Sequence, residues 1–459
     1  MSIHLKPFPQ LRQTDIPWYG ALPSHWQLCP GMAVLKPKQI KNVGLREKTV
    51  LSLSYGRIVI KPEEKLHGLV PASFEGYQIV EPGNVIIRPT DLQNDQTSLR
   101  VGQSEHRGII TSAYLCLEAR GDMNAAYAYA LLHAYDIQKV FYSMGSGLRQ
   151  NLDWSDFRRL PIPVPPPEEQ DAIVRFVRHL DLRVNRLLKT KRRLIDLLNE
   201  QKQAIIHRAV TRGLDPEVRL KASGVEWLGD VPEHWKCLRS RYVYREVDVR
   251  SIRGEELHLS MTQDRGLIPS DQLSVRRLVS ESYAGGKICH EGDLVLNRLK
   301  AHLGVFALAP STGVISPDYS VFRPIQKLEP KYFELVYRTP ACRVELRKRA
   351  KGIVQGFWRL YTDDFYDIAV PVPPQKEQTS IVRFLDEELS ALNVAGIRAN
   401  TEIDRIREYR TRLVSDVVTG QLDVRGLDLT EMEEAAVGLS DVAEDGDGLP
   451  GEEPEGDNE

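Results

Sequence analysis

Two sets of polar side chains could do chemistry in this sequence, one in each half of the chain. The first half offers Ser54, Tyr55, Arg57, Arg88, Gln93 and Asn94, followed by Arg149, Gln150 and Asn151. The second offers Thr262, Gln263, Arg265, Asn297, Arg298, Lys300 and His302, followed by Gln355 and Arg359. All fall in stretches broken by Gly, Asn, Asp or Pro, which read as loops and turns. Arginine and lysine donate to phosphate oxygens and guanine edges, and asparagine and glutamine match adenine edges. The chemistry on offer is recognition of a nucleic acid through hydrogen bonds. Any one of these residues also fits a solvated loop. The glycine-flanked stretches 145–151 and 352–359 stand out because glycine lets a backbone approach a ligand closely.

Bond-making chemistry is not evident. An N/DPPY-type tetrapeptide with a glycine-rich methyl-donor loop is missing, and so is GxxxxGK[ST]: Gly285-Gly286-Lys287 runs into Ile288. The 11 histidines include no HExxH or close ligand pairing, so no metal is expected. Pro62-Glu63-Glu64-Lys65 faintly resembles a nuclease carboxylate–lysine cluster, but it has no second carboxylate partner and reads as a solvated turn. The expectation is a non-catalytic chain with no cofactor of its own.

The elements that position these residues follow from a repeat of about 208 residues. IPWYGALPSHW (16–26) returns as VEWLGDVPEHW (225–235), EPGNVIIR (81–88) as HEGDLVLNR (290–298), and GIITSAY (108–114) as GVISPDY (313–319). PVPPPEEQDAIVRFV (163–177) returns as PVPPQKEQTSIVRFL (371–385), and AVTRGLD (209–215) as VVTGQLD (417–423). Five collinear matches at one offset mark a duplication, and the sequence between them has diverged. His25-Trp26 and His234-Trp235 occupy equivalent positions and read as packed aromatics with a hydrogen-bonded histidine. Trp154, Trp358, Phe157 and Phe365 read as core.

Each half opens with about 150 residues of short apolar runs such as NVIIR and DLVLN, which read as strands, with helical stretches at 125–140 and 332–348. The proline-rich PxPPxxEQ segment then presets a helix start. From Ile173 the apolar positions Val177, Leu180, Val184, Leu187, Leu194, Leu198 and Ile205 step by four and three, with Lys191 and Gln201 in the same register, as a coiled-coil seam requires. At 1.5 Å per residue, 173–208 would span roughly 54 Å. The second copy, 381–418, places Glu388, Ala399 and Glu402 in that register, so its seam is weaker or shifts toward Leu389 and Ile403. Neither helix can leave an apolar stripe in water, so the two are expected to pair antiparallel with a globular domain at each end. Leu188, Ile195 and Leu197 lie off the seam. They form either a docking face for other subunits or a contact with the chain's own domains. The fold class is α+β, two related domains joined by two long helices.

Such a chain would be a two-headed reader. Major-groove faces recur about every 34 Å along DNA, and two diverged heads would read two different half-sites. The 459 residues carry 61 Lys+Arg against 63 Asp+Glu. Twelve of the acidic residues lie in 431–459, which has no Lys or Arg, so the rest is basic by about ten charges. That balance permits nucleic-acid binding. The tail reads as disordered, either a solubilising extension or a mimic competing for a basic groove. The run 189–193 (KTKRR) reads as a solvated helix face with an option to touch phosphates. No run of about 20 apolar residues or signal-peptide core is found, and the five cysteines never form CxxC, so a soluble cytoplasmic protein without disulfides is expected. The alternative is a two-headed protein-interaction scaffold without DNA specificity.

The repeated variable domain, PxPPxxEQxxIVxF and long helix, with xLPxHW, GDLVLNR, GVISPDY and GIVQGFWR (352–359), resembles the specificity subunit of type I restriction–modification systems over residues 10–423. The resemblance implies target-recognition domains at 1–162 and 213–370 and linkers with coiled-coil helices at 163–212 and 371–423; the acidic tail at 424–459 and the weaker second seam depart from the family's pattern. The resemblance also implies double-stranded DNA, two methylation subunits and restriction subunits as partners. S-adenosylmethionine, ATP and Mg²⁺ would be carried by those partners.

Overall fold

The computed structural model describes residues 5–62, 73–95, 97–144, 151–262, 265–273, 282–352 and 358–427. The chain divides into two compact units, Met1–Thr190 with Glu402–Glu459, and Lys191–Thr401. Each unit is built on a four-stranded antiparallel sheet. In the first its order is Leu35–Pro37, Leu115–Ala119, Val85–Ile87, Val101–Gln103; in the second it is Tyr244–Val247, Tyr319–Pro324, Leu294–Asn297, Phe306–Leu308. The smaller ladders recur too. Gln78–Val80 pairs with Gly108–Ile110 as Lys287–Cys289 pairs with Gly313–Ile315, and the bridge Val50–Ile109 has its counterpart in His258–Val314. The duplication read from five short matches therefore extends to strand order throughout.

The helices differ more. Ala125–Ile137 is one helix, started by Asn124, whose side chain accepts from the N–H groups of Ala126 and Tyr127. The stretch expected as one helix at 332–348 is two, Pro330–Arg338 and Pro340–Arg349. Pro340 forces Thr339 into an extended conformation, and the Thr339 hydroxyl then caps the second helix at Cys342 N.

The repeated EQ of the proline-rich segment ties each long helix to its unit. Glu169 binds His25 Nε2 at 2.7 Å with one oxygen and accepts from Trp26 Nε1 at 2.9 Å with the other. Glu377 does the same with His234 and Trp235, at 2.9 and 3.0 Å. Gln170 and Gln378 each donate to a carbonyl of their own proline turn (Pro165, Pro373) and accept a backbone N–H ahead of the domain helix (Asn124, Glu329). The histidine–tryptophan pairs are packed and hydrogen-bonded as read from sequence; the carboxylate joining them is the added finding. Phe157 and Phe365 are fully buried, while Trp154 is partly buried against the core and Trp358 lies under Arg347.

The long helices are Pro167–Arg212 and Gln375–Val418, and within each unit their segments run antiparallel. In the first unit Asp181 and Arg410 form a two-pronged ion pair at 2.7 and 2.9 Å, and Tyr127 OH bridges the carbonyls of Pro163 and Val418. In the second, Tyr332 OH donates to Val210 O, and Ile205, Ala209 and Val210 pack with Ile381 and Leu385. Each core is thus completed by the far end of the helix that began in the other unit. The helices end on glycines at positive φ, Gly213 and Gly420. A Cβ on Gly420 would lie 2.6 Å from Pro23, and one on Gly213 3.3 Å from Trp235.

The seam register needs correction in the first helix. Leu187 and Leu194, assigned inward, are 44% and 42% exposed, whereas Leu188 and Ile195 are half-buried, Leu188 against the first core. Leu197 is exposed. The second helix takes the shifted seam: Glu388 is exposed, while Gly396, Ala399 and Ile403 are buried.

Candidate nucleic-acid interface

In the first unit the candidate residues fall on one hairpin and one loop that meet. Leu51–Ser54 pairs with Arg57–Ile60, with Ser54 opposite Arg57. The two connecting residues, Tyr55 and Gly56, both have positive φ (47° and 76°), the signature of a two-residue type I′ hairpin. Tyr55 is 70% exposed at this tip, and Arg57 is exposed beside it. Gly56 seats the tip on the loop behind it, since a Cβ there would sit 3.1 Å from Leu99 and 3.2 Å from His133. Burial pushes the His133 imidazole down to about 4, with Arg410 adding to the effect.

The loop begins at Arg88, directly after the buried strand Val85–Ile87. Leu92 is fully buried and anchors it, leaving Gln93 and Asn94 exposed at its crest. Arg88 pairs with Asp95 at 3.2 Å, Asn94 donates to Asp91 at 2.7 Å, and Asn151 accepts from Asp91 N at 3.0 Å. Asn151, distant in sequence, thus joins Arg88 and Asn94 in one constellation. Arg149 and Gln150 lie outside the described residues, as do Glu63, Glu64 and Lys65.

The second unit repeats the placement with other side chains. The hairpin Leu259–Thr262/Gly266–Pro269 has Thr262 opposite Gly266, and the Thr262 hydroxyl accepts from Arg265 N at 3.0 Å. Arg265 is exposed. After the strand Leu294–Asn297, the Asn297 side chain caps a short 3-10 turn at Leu299 and Lys300. Arg298 Nε donates to Asp318 O at 2.9 Å and Arg359 Nη2 to Asp318 Oδ1 at 2.7 Å, so one aspartate gathers two candidate arginines. Lys300 is exposed nearby, and His302 lies in the same turn. Gln263 and Gln355 are outside the described residues, as are the side chain of His302 and the tail from 428.

Sequence reasoning located these loops but missed the residues that hold them: Asp91, Asp95 and Arg100 in the first unit, Asp318 in the second. Asp318 stood inside a repeated motif, opposite Ala113, and that contrast was the available signal. Among the described residues no cluster of three His, Cys, Asp or Glu could hold a metal ion, and no helix is long and apolar enough to cross a membrane.

Comparison with known proteins finds one matching domain and several relatives. The profile of the type I restriction modification DNA specificity domain matches residues 110–197. The specificity subunit of the type I restriction enzyme MjaVIII of Methanocaldococcus jannaschii is 22% identical over 343 residues, 70% of this chain and 76% of that one. The specificity subunit of EcoKI of Escherichia coli is also 22% identical, over 59% of this chain and 60% of that one. A structure solved to explain complex assembly and conformational transition of the type I R-M system has the same fold, with a TM-score of 0.60 at 16% identity over 87% of this chain and 99% of that one. The chain resembles the specificity subunits of type I restriction–modification systems, and its residues 110–197 match their DNA specificity domain. The matched stretch 110–197 runs through the Glu169–Gln170 anchor and into the first long helix.

Proposed function

We propose that this chain reads DNA for a type I restriction–modification complex, each unit contacting one half of an asymmetric, bipartite site. The observation that carries this reading is the pairing of a repeated frame with unrepeated loops. Both units present a hairpin tip and the loop after the buried strand at equivalent positions, yet one offers Tyr55, Arg57, Arg88, Gln93 and Asn94 and the other Arg265, Asn297, Arg298, Lys300 and Arg359. Equal frames with unequal donors suit two different base sequences. On this reading 1–162 and 213–370 are the target-recognition domains. The long helices dock two methylation subunits, with the exposed Leu187, Leu194 and Leu197 among the contacts, and restriction subunits complete the assembly. Methyl transfer and cleavage, with S-adenosylmethionine, ATP and Mg²⁺, belong to those partners; this chain works in the cytoplasm and supplies the address.

The test is a map of methylated adenines in cells carrying the methylation subunits, with and without this chain. The expected outcome is one motif of two unlike half-sites around an unread spacer, present only with the chain. An unchanged map would overturn the assignment.

A further inference from the structure

The first unit contains an arginine whose burial the frame alone does not explain. Arg100 is fully buried, and among the described residues no carboxylate oxygen lies closer to its guanidinium than Asp95, 4.0 Å away. Its donors are instead spent on the loop in front of it. Nη1 donates to the carbonyls of Arg88 (3.3 Å) and Thr90 (2.6 Å), and Nη2 to those of Asp91 (3.1 Å) and Asp95. Nε reaches Tyr142 OH at 3.1 Å, and that hydroxyl donates onward to Asp95 O at 3.2 Å. One planar group therefore fixes four carbonyls spread over the 88–95 loop, from behind. Lysine, with three donors on a single point, cannot reproduce that fork. Burying a guanidinium is costly, and an apolar side chain would fill the space with less penalty. The outward face of the same loop carries Arg88, Gln93 and Asn94. In the second unit the position before the corresponding strand is Val305, and the arginine packed against that turn, Arg343 beside Gly304, comes from the helix Pro340–Arg349 instead.

We propose that Arg100 is a positioning residue for target reading: from the interior it sets the shape in which the 88–95 loop presents Arg88, Gln93 and Asn94 to one half-site. The proposal rests on the DNA-reading assignment above and adds a residue that touches no base. Tyr142 shares the task as the second post to which the strap is tied.

The test is selection from a randomised duplex library by the full-length chain, comparing wild type with Arg100→Lys, Arg100→Met and Tyr142→Phe. Wild type should enrich two half-sites. The Arg100 variants should lose about tenfold in preference at one half-site, the discrimination of one good base contact, and keep the other unchanged. Tyr142→Phe should show a smaller loss at that same half-site. A purely structural role would weaken both half-sites together and lower the melting temperature, and that result overturns the proposal, as does full preference retained at both. If the Arg100 variants do not fold, Tyr142→Phe decides, and unchanged half-site preference in it counts against the idea. Should the wild type itself enrich no sequence, the DNA-reading assignment fails, which is a separate outcome.

Discussion

The two units share a frame down to strand register and differ in how they secure the loop after the central strand. The first unit uses a longer loop, between strands ending at Ile87 and starting at Val101, wrapped around a buried arginine. The second uses a shorter turn, between Asn297 and Phe306, capped by Asn297 and fastened to Asp318. Contacts that hold the fold recur: His-Trp to Glu, Gln to the proline turn, tyrosine to the incoming helix end. Contacts that shape the presented surface do not recur. The duplication preserved what closes each core and left the outer loops free to diverge, as the proposed reading of two unlike half-sites requires.

The comparison can be broken first at the repeated anchor. Glu169→Ala leaves Trp26 Nε1 and the half-exposed His25 without their acceptor and removes the longer of Arg425's two carboxylate contacts, at 3.4 Å, Asp423 keeping the other. A loss of about 3 kcal/mol is expected, since a buried donor loses its partner. Glu377→Ala should cost less, about 1–2 kcal/mol, because the Glu377 side chain is 28% exposed against 11% for Glu169 and water can replace it. Denaturant unfolding of both variants checks the order; equal costs would show that the anchors are interchangeable.

A second prediction concerns a feature of the first unit, the histidine beneath its hairpin. His133 titrates at about 4 when folded against 6.5 when free, because burial disfavours the cation. Between those values the unfolded chain binds a proton that the folded one refuses. Stability is therefore whole above 6.5 and falls as pH drops toward 4, by up to about 1.4 kcal/mol per pH unit. His133→Gln should flatten that slope, measured by unfolding across the window. An unchanged slope would assign the acid sensitivity elsewhere.

The smallest effect sharpens the helix register. Leu187→Lys and Leu194→Lys should change stability by no more than about 0.5 kcal/mol, as surface substitutions do. Leu188→Asp and Ile195→Asp should destabilise clearly. Thermal melts separate the pairs, and pull-down with the methylation subunits then reads whether the exposed leucines serve docking.

How much of this was legible depends on whether a signal was local. The repeat and the proline-set helix starts could be read directly, because period and spacing carry them, and the second seam was narrowed to a weaker seam or one shifted toward Leu389 and Ile403. The first seam could not be settled, because Leu187/Leu194 and Leu188/Ile195 satisfy the same heptad; only packing against the first core favours Leu188. Pro340 was a local signal that the continuous 332–348 helix overlooked. Among the candidate contacts, loop positions were visible from their glycines and asparagines. Their partners were not, since Asp318 meets Arg359 across 41 residues and Arg100 reaches back to Arg88 across 12, separations that no periodicity announces.

The first core closes around Leu413, Val414, Val417, Val418 and Val424, supplied by the last stretch of described chain, whereas the second needs nothing beyond Thr401. On the ribosome this inverts the usual order of maturation. The amino-terminal module emerges first yet must wait, at about 5–20 residues per second, roughly 10–50 s between Thr190 and Val424 before its last apolar wall arrives. The later-made module is able to finish ahead of it, so a chain released early would carry one sound head and one open one.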